Sequence, residues 1–591
     1  MEAREPSGQR QPSPAGFRRR FLALAGGYWF GERKWSVRFL TLALVGLTVG
    51  QVVVPILVNL WSKRLFDALE QRSMDQFVVI VGLLGGIIVF NIANTTFHLR
   101  VKRQLQWGWR QWLTQEILGT WLTRGRHHQI TNLPGDHDNP DGRIAEDIRI
   151  TTEYAIDLGH SLSYCAMLLI SFTNILWRLS GAPEVTLGGI SFTVPGYLLY
   201  IAVVYAAAGT SLAVLLGKPL VTAVNRRQGV EADFRVGLVR VRENAQAIAL
   251  MHTESEERRS LLGLLRGVRA GWNGQTRTLS NVTIFSSFYS VLSSTFPILL
   301  AAPQYISGAI SLGALMQTAQ AFQQTVAALS WPIDNLGRAA EWKASVERVL
   351  GLYDALHTLQ HQTSGAAGQG RIVVVHSDTA RSLSFQDLAV TEPDGTQVIA
   401  SFDAEIRPGE RVLIVGDPGA AIRLFRAVAR VWPWGSGRIE LPAHTRVFFM
   451  PQRPYLPRGF LRDAMCYPGA PEMMDCEQGR AALERVGLQH LIRRFDETET
   501  WKEVLAMAEQ QRLGFARLLL RRPDWIFVEN ATDALDPAGE EAMLRLLDEE
   551  FPAATLVTIG THAGLEAHHG RKFTLRRTGS GVEMTEGTSS H

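Results

Sequence analysis

Residues 412–423 have the composition of a phosphate-binding turn between a buried strand and an amphipathic helix. The strand, 412–415, is followed by the turn residues Gly416, Asp417, Pro418 and Gly419. Such a turn requires glycine for close backbone approach, lysine for the phosphate oxygens, and serine or threonine for Mg²⁺. The next positions hold Ala421, Ile422 and Arg423, and no lysine occurs between Lys343 and Lys502. The sequence therefore predicts a phosphate-binding frame that has lost its usual chemistry.

A second set of chemically capable residues lies at the start of an apolar run in the first half of the chain. Its members recur at helical spacing and are Glu146, Glu153, Asp157 and His160. A carboxylate near a histidine can relay protons, and ionisable residues inside a membrane are candidates for function. The alternative is that Glu153 and Asp157 lie at the aqueous edge of the membrane and are simply solvated. The sequence leaves both interpretations open.

The elements that position these residues belong to two unlike halves. The 591 residues exceed the ~100–200 residues of a single domain. The hydrophobic content of 46% averages an apolar first half and a second half typical of a soluble α/β protein. A net charge of +4 is small for this length and does not argue for nucleic acid, so we expect no nucleic-acid partner. Cys165, Cys466 and Cys476 lie in separate contexts, so we expect neither a disulfide nor a metal site.

Six apolar runs in the first half predict six membrane-spanning helices. Each has about the length needed to cross ~30 Å of hydrocarbon, and the runs are 37–61, 77–97, 158–179, 196–216, 282–302 and 306–329. The last is the most polar, and we expect its glutamines to face a water-filled pathway; they are Gln317, Gln320, Gln323 and Gln324. The Lys/Arg bias of the two long loops places both termini in the cytoplasm.

Two local motifs carry a family resemblance. The first comprises Asp138, Asn139, Pro140, Asp141, Arg143, Ile144 and Asp147. The second is the pair of segments 231–235 and 242–250. With them, residues from about 28 to 575 resemble the SbmA/BacA-like transporters and the related peroxisomal fatty-acyl ABC transporters.

The resemblance implies a fold, partners and a cargo. The fold is an α-helical six-span membrane domain of the ABC exporter type I-like class, followed by an α/β P-loop-type nucleotide-binding domain. Family members use ATP and Mg²⁺ as cofactors, work as homodimers in the lipid bilayer, and carry peptides, corrinoids or other bulky hydrophilic solutes. Members without a cassette import peptides with the proton gradient. The expected location is the bacterial inner membrane, with several passes.

The expected domain boundaries follow from these readings. Residues 1–34 form a cytoplasmic N-terminal segment, and 35–345 form the six-helix permease. A linker at 346–375 leads to the nucleotide-binding domain at 376–577. Residues 578–591 are expected to form a flexible tail.

The resemblance also identifies what the cassette has lost. Segments 431–439 and 450–457, which follow the phosphate-binding turn, match the family, and Gln452, which contacts Mg²⁺ in the family, is present. Glu529 and Asn530 stand where the family has Asp and Glu. An amide, which cannot accept a proton from water, therefore occupies the position of the family's general base. In the signature segment Ala506 and Ala508 replace Ser and Gly, while Glu509 and Gln510 are retained. At the switch histidine the chain has Thr561, with His562 one position later.

Four hypotheses follow. The leading one is a homodimeric uptake transporter that binds ATP weakly or not at all and draws its energy from the proton gradient. The second is an ATP-driven transporter in which Arg423 or Arg426 holds the phosphate. The third is a non-catalytic subunit of a heterodimer, and the fourth is a membrane scaffold or receptor. No intact catalytic residue set remains under any of them.

Overall fold

The computed structural model of this chain describes residues 14–133, 139–181, 184–187, 190–364, 370–469, 475–560, 563–578 and 581–588. The chain divides into two compact units, and each is described by itself. The first is Met1–Glu116 with Asp141–Leu350, and the second is Ile117–Pro140 with Gly351–His591. Residues 117–140, which we expected within the permease, therefore belong to the second unit.

Helices build the first unit, and most of them are long. The helices of residues 14–364, of which α4 belongs to the second unit, are α1 (Pro14–Phe30), α2 (Lys34–Glu70), α3 (Met74–Trp121), α4 (Arg126–Gln129), α5 (Pro140–Leu179), α6 (Tyr197–Glu243), α7 (Ala245–Met251), α8 (Glu254–Ile306), α9 (Leu312–Asp334) and α10 (Leu336–Ser364). A short hairpin, β1 (Glu184–Leu187) and β2 (Ile190–Thr193), precedes α6. The runs 37–61, 77–97, 158–179 and 282–302 each lie within one of these helices, and 196–216 begins one residue before α6; the run 306–329 instead begins at the last residue of α8 and continues into α9.

Five of these helices, α2, α3, α5, α6 and α8, are long and apolar enough to cross a membrane. Helix α9 forms where the sixth run was predicted but is not among the five, so a count of six spans is not confirmed. Large apolar side chains remain exposed along the five helices, Val89, Ile170 and Phe288 among them. Such surfaces are stable only against an apolar environment, which is what a bilayer supplies.

Helix α9 lies inside the bundle, packed against α2, α5, α6 and α8. Its apolar residues Ala321, Phe322 and Val326 join Phe172 of α5 and Leu198 of α6 in one buried cluster. Helix α9 therefore contributes to the centre of this unit, which explains a composition less apolar than that of a lipid-facing span.

Two of the four glutamines of α9, Gln317 and Gln320, differ from our expectation, while Gln323 and Gln324 are partly exposed. Gln317 is 4% exposed, and its Nε2 donates to Asn59 Oδ1 at 3.1 Å, while Asn59 Nδ2 donates to the Gln317 carbonyl at 3.0 Å. Gln320 Nε2 donates to Ser62 Oγ at 3.0 Å. These two amides pair with polar groups of α2 instead of facing water, because a buried amide requires a hydrogen-bond partner.

The start of α5 explains part of the first sequence motif. Pro140 opens the helix, as proline suits its first turn, and a π-helical turn follows at Arg143–Asp147. The Asp147 side chain, 9% exposed, receives two hydrogen bonds from Arg348 of α10, at 2.8 and 2.5 Å. The motif thus anchors α5 to α10. Asp138 lies outside the described residues.

A mixed sheet dominates the second unit. Its strands are β3 (Val373–Ser377), β4 (Leu383–Thr391), β5 (Gln397–Ile406), β6 (Arg411–Gly416), β7 (Gly435–Pro442), β8 (Val447–Met450), β11 (Trp525–Glu529), β12 (Thr555–Ile559), β13 (Arg571–Thr578) and β14 (Gly581–Thr588). Their order is β3-β7-β4-β5-β14-β13-β6-β12-β11-β8, and β8, β11, β12, β6 and β13 pair in parallel. A separate two-stranded pair joins β9 (Gly459–Phe460) to β10 (Thr498–Glu499).

The helices of this unit connect and cover the sheet. They are α11 (Pro418–Val428), α12 (Leu461–Cys466), α13 (Cys476–Arg485), α14 (Trp501–Val504), α15 (Met507–Arg521) and α16 (Pro537–Glu550). Strands β11 and β12 are apolar and almost wholly buried, as central parallel strands are. Strand β11 brings Glu529 to the same edge of the sheet as Gly416 at the end of β6, because parallel strands end on the same side.

Two of the expected boundaries differ from the observed elements. Helix α10 runs to Ser364, so much of the expected linker, 346–375, is helical. The expected tail, 578–591, contains β14, which pairs antiparallel with β13 from Thr578↔Gly581 to Arg571↔Thr588. Its Val582 is 4% exposed, so the hairpin is held by sheet pairing and burial, which a composition rich in Gly and Thr concealed.

Candidate functional site

The predicted phosphate-binding turn is reduced to a single connecting residue. Strand β6 ends at Gly416 and helix α11 begins at Pro418, so only Asp417 lies between them. Gly416 has φ +114°, and a Cβ there would collide with the Leu575 backbone of β13. Asp417 N–H donates to the Leu575 carbonyl at 3.0 Å. The backbone therefore passes directly from strand to helix and leaves no extended loop to enclose a phosphate.

The N-terminus of α11 is already occupied by a carboxylate of the same chain. Asp417 Oδ1 accepts a hydrogen bond from Ala420 N at 2.9 Å, which is the contact of an N-cap residue. Helix N-termini bind phosphate through these free amides and the helix dipole. A phosphate here would lose one amide and would face the Asp417 charge, which Arg577 balances only at 3.6 Å. These residues do not fit a triphosphate with Mg²⁺.

Arg423 does not replace the missing lysine as an open cation. Its Nη2 forms an ion pair with Glu392, and its Nη1 donates to the Gly419 carbonyl at 3.0 Å. The guanidinium also lies over the Trp432 ring, 5.3 Å from the centroid. Ala421 is buried and Ile422 is partly buried. The positive charge is thus balanced within the fold.

Glu529 and Asn530 lie at the end of β11, where the resemblance places them. Burial raises the pKa of the Glu529 carboxyl, and Arg426 acts in the opposite direction. Asn530 has φ +45°, a conformation that asparagine tolerates better than most residues. Its side chain is an amide, which cannot take a proton from water. The edge therefore keeps a carboxylate but has no general base at this position.

Gln452 contacts the residues that follow β11. Its Nε2 donates to Asp533 Oδ2 at 3.1 Å. A residue that the sequence analysis missed, Gln511 of α15, is 1% exposed and joins three segments. Gln511 donates to the carbonyls of Gln452 and Asn530, at 3.1 and 3.4 Å, and accepts from Ala534 N at 3.0 Å. A second glutamine directly after the signature Gln510, on a helix otherwise apolar at that face, was the available signal.

The signature residues are used to build α15. Ala506 is the N-cap position and has no side-chain acceptor, but Glu509 Oε2 accepts from Ala506 N at 2.9 Å. This is one half of a capping box. Gln510 Nε2 donates to the carbonyls of Lys502 and Leu505, at 3.0 and 2.8 Å. Ala506 is exposed and Ala508 partly so, and neither offers a side-chain hydrogen bond.

The switch positions Thr561 and His562 lie outside the described residues. Two later histidines are described. His569 is 2% exposed, with Nδ1 2.6 Å from the Leu565 carbonyl and Nε2 2.8 Å from Thr558 Oγ1, and burial lowers its pKa. His568 lies between Asp548 and Glu541, at 2.8 and 3.2 Å. Both are engaged in structural contacts.

In the first unit, Asp157 is the centre of a polar cluster. Lys102 Nζ lies 3.1 Å from its Oδ1, Arg338 Nη2 donates to its Oδ2 at 3.1 Å, and Gln106 Nε2 donates to its Oδ1 at 3.0 Å. The side chain is 23% exposed. The partners of Asp157 come from α3 and from the start of α10, and the sequence analysis missed all three. Asp157 is therefore bound to cations rather than merely solvated.

The other residues of this set, of which Glu153 and His160 are the remaining relay candidates, are only partly assembled. His160 Nε2 lies 3.2 Å from Gln51 Oε1, and its ring is 4.3 Å, centroid to centroid, from the ring of His98. His98 is 4% exposed, and its Nε2 has no hydrogen-bond partner among the described residues. Glu153 pairs with Arg149 at 3.7 Å. Glu146 is 69% exposed and also lies near Arg149.

Comparisons with known proteins agree with this architecture. A family described as ABC transporter transmembrane region 2 matches residues 27–306. The chain is 30% identical over 553 residues to the inner membrane ABC transporter ATP-binding protein YddA of Escherichia coli, covering 92% of this chain and 95% of YddA. It is 27% identical to ABC transporter D family member 2, chloroplastic, of Arabidopsis thaliana, covering 94% and 85%. It is 24% identical to the human lysosomal cobalamin transporter ABCD4, covering 93% of both chains.

Proposed function

This chain belongs to the ABC transporter family as a half-transporter related to the D group, and from that premise we propose that it is an uptake transporter whose cassette does not hydrolyse ATP. Two copies assemble in the bacterial inner membrane, with both termini in the cytoplasm. The cargo is a peptide, a corrinoid or another bulky hydrophilic solute, and the proton gradient drives its movement. The resemblance to SbmA/BacA-like transporters supports this combination.

The Asp417 cap carries the proposal about ATP. The acceptor side chain lies where an ATP phosphate would need free amides, and the helix it caps carries no lysine. Arg423 is balanced by Glu392, and the position of the general base is Asn530. Phosphoryl transfer depends on positioning and on charge neutralisation. Each of these changes weakens one of the two, so we propose weak or absent ATP binding and no useful hydrolysis.

The polar cluster around Asp157 supports the proposed energy source. A carboxylate held by Lys102 and Arg338 can exchange its partners when a proton neutralises it, because the ion pairs then lose their attraction. His160 and His98 lie one turn further along the helices. We propose that Asp157 and His160 take part in proton coupling, with Glu153 at the entrance.

The cargo class is supported by one relative in particular. The relative ABCD4 is described as a cobalamin transporter, and cobalamin is a corrinoid. We therefore place corrinoids beside peptides as the first cargo to test.

Uptake into proteoliposomes tests the proposal. Purified protein is reconstituted, and the entry of labelled cobalamin and of a labelled cationic peptide is followed. One arm imposes a pH gradient, acid outside, without nucleotide. The other supplies Mg-ATP on the cassette side without a gradient. We expect uptake of at least one cargo in the first arm only. Uptake driven by Mg-ATP alone would disprove the proposed energy source.

A second candidate is an ATP-driven transporter with unusual site residues. The description of YddA as an ATP-binding protein favours it, and Gln452 and Glu529 are still present at the sheet edge. The same assay separates the two candidates, because only the second requires vanadate-sensitive uptake in the nucleotide arm. A heterodimer fits less well, because this chain has altered both its phosphate-binding turn and its signature segment.

A further inference from the structure

A cavity of about 610 Å³ lies within the second unit, away from the phosphate-binding turn. One side is formed by the segment around α4, through Arg124, Gly125 and Gln129. The other sides are formed by the start of β3 and by the chain that follows α11, residues 427–433. Its size lies within the ~300–1,000 Å³ typical of small-molecule sites.

The charge of this cavity is strongly positive. Arg124, Arg371 and Arg430 line it, and no Asp or Glu is among its described lining residues. The buried Nε of Arg371 has no hydrogen-bond partner among the described residues. Arg430 donates to the Val374 carbonyl at 3.2 Å and contacts His376 Nδ1 at 2.6 Å, and neither contact balances its charge. Three guanidinium groups facing one space favour an anion, and phosphate matches their planar donor geometry best.

A buried acceptor adds a second requirement. Gln129 is 2% exposed and lines the cavity, and its Oε1 has no hydrogen-bond partner among the described residues. Its Nε2 donates to the Arg124 carbonyl at 3.4 Å, so the amide is oriented. An orphaned acceptor of this kind is costly unless a donor reaches it. The ligand should therefore carry an N–H or O–H group as well as its negative charge.

A helix C-terminus at the cavity opposes anion binding, but its effect is reduced by hydrogen bonds within the chain. The C-terminal end of α11 contributes the negative end of a helix dipole. Its last carbonyls already accept backbone hydrogen bonds: Ala429 N donates to Phe425 O, Arg430 N to Ala427 O, and Val431 N to Arg426 O. The full charges of three arginines outweigh the remaining partial charge.

We propose that this cavity binds an organic phosphate of about nucleotide size, with Arg124, Arg371 and Arg430 neutralising the phosphate and Gln129 accepting a hydrogen bond from the rest of the ligand. The site is separate from the Asp417 turn and holds no catalytic group. Its ligand would bridge the α4 segment and the strand β3, and would therefore stabilise the packing of α4 within the second unit. Binding here is regulatory and independent of the proposed energy source.

Calorimetry with AMP in the absence of Mg²⁺ tests the site on the full-length protein in nanodiscs of zwitterionic lipid. We expect wild-type protein to bind AMP, and Arg124→Gln and Arg371→Gln each to weaken binding about tenfold or more. Gln129→Leu should weaken AMP more than inorganic pyrophosphate, which has no nucleoside to donate a hydrogen bond to Gln129. Arg438→Gln removes the same charge outside the cavity, and Arg423→Gln removes the cation of the family site; neither should alter AMP binding.

A second arm identifies the source of the phosphate. In nanodiscs that contain anionic phospholipid, unchanged AMP binding supports a soluble ligand, whereas competition supports a lipid headgroup in the same cavity. The proposal is overturned if wild-type protein binds neither AMP nor pyrophosphate, or if Arg423→Gln abolishes binding while Arg124→Gln and Arg371→Gln retain it. Uptake assays read the proposed function independently, so failure of one proposal leaves the other distinguishable.

Discussion

Asp417 and Ala420 form a hydrogen bond of 2.9 Å that closes the N-terminus of α11 from within the chain. Asp417 also donates its own N–H to the Leu575 carbonyl, so Asp417 fixes both the start of α11 and the attachment of this helix to β13. The turn where a phosphate would bind has thus become a structural joint between a strand and a helix.

Replacement of Asp417 tests that role. Asp417→Ala removes the N-cap acceptor and should cost about 1 kcal/mol locally, which corresponds to about fivefold faster hydrogen exchange in the first turn of α11. Asp417→Asn retains an acceptor and should change exchange little. Exchange followed by mass spectrometry on the intact protein in detergent reports both. Equal exchange in wild type and Asp417→Ala would show that the cap contributes nothing.

Substitution of Asp157 should separate coupling from solvation. Asp157→Asn leaves Lys102 and Arg338 without their counter-charge, and we expect uptake driven by the pH gradient to fall at least about tenfold, because the charge that the proton would neutralise is gone. Glu146→Gln, on an exposed carboxylate of the same helix, is the matched control and should retain uptake. If both variants transport like wild type, Asp157 has no part in coupling.

The pair Asp147–Arg348 should dominate the stability of the start of α5. Asp147→Ala removes the carboxylate that accepts two hydrogen bonds from Arg348, whose side chain is 44% exposed. A fully buried pair would cost ~3–5 kcal/mol when broken; with this exposure we expect about 2 kcal/mol. Thermal unfolding in detergent checks this, with Glu256→Ala as the control, since its partner Arg259 is largely exposed. A control that loses as much stability as Asp147→Ala would contradict the assignment.

Glu529 should give the cassette a defined pH dependence. Burial raises the pKa of this carboxyl in the folded chain, so ionisation costs more free energy folded than unfolded. That cost is present above the raised pKa and absent below the unfolded value. Glu529→Gln should therefore raise the unfolding temperature at pH 7.5 and leave it unchanged near pH 4.

Substitution of Glu541 is expected to change the unfolding temperature in the opposite direction. Its pKa is lowered, first by the hydrogen bond from His568, so its stabilising effect is present above the unfolded pKa and lost as the pH falls. Glu541→Gln should lower the unfolding temperature at pH 7.5, and this difference should shrink below the unfolded pKa and vanish only as the pH falls through the lowered pKa of the folded chain. Shifts of the same sign in the two variants at pH 7.5 would refute the argument.

The sequence predicted helices and strands better than it predicted the contacts between their side chains. Apolar runs located the long helices, and the strand, turn and helix predicted within 412–423 correspond to β6 and α11. The Asp-Pro pair at 417–418 carries an N-cap signal that the search for phosphate chemistry passed over. The partners of Arg423 and Asp157 are distant in sequence, at Glu392, Lys102 and Arg338, and no local pattern specifies them.

The second unit combines two segments that are far apart in the sequence, 117–140 and 351–591, and this has a consequence for biosynthesis. Gly125 lies against Val431, because a Cβ at Gly125 would be 3.1 Å from the Val431 side chain. Val431 leaves the ribosome roughly 300 residues after Gly125, a delay of about 15–60 s at ~5–20 residues per second. The α4 segment is therefore synthesised before the segment it packs against, and most of the membrane helices are synthesised in between. The cassette thus includes a segment that is translated before the rest of it. A premature stop codon after the last membrane helix would remove the residues against which the α4 segment packs.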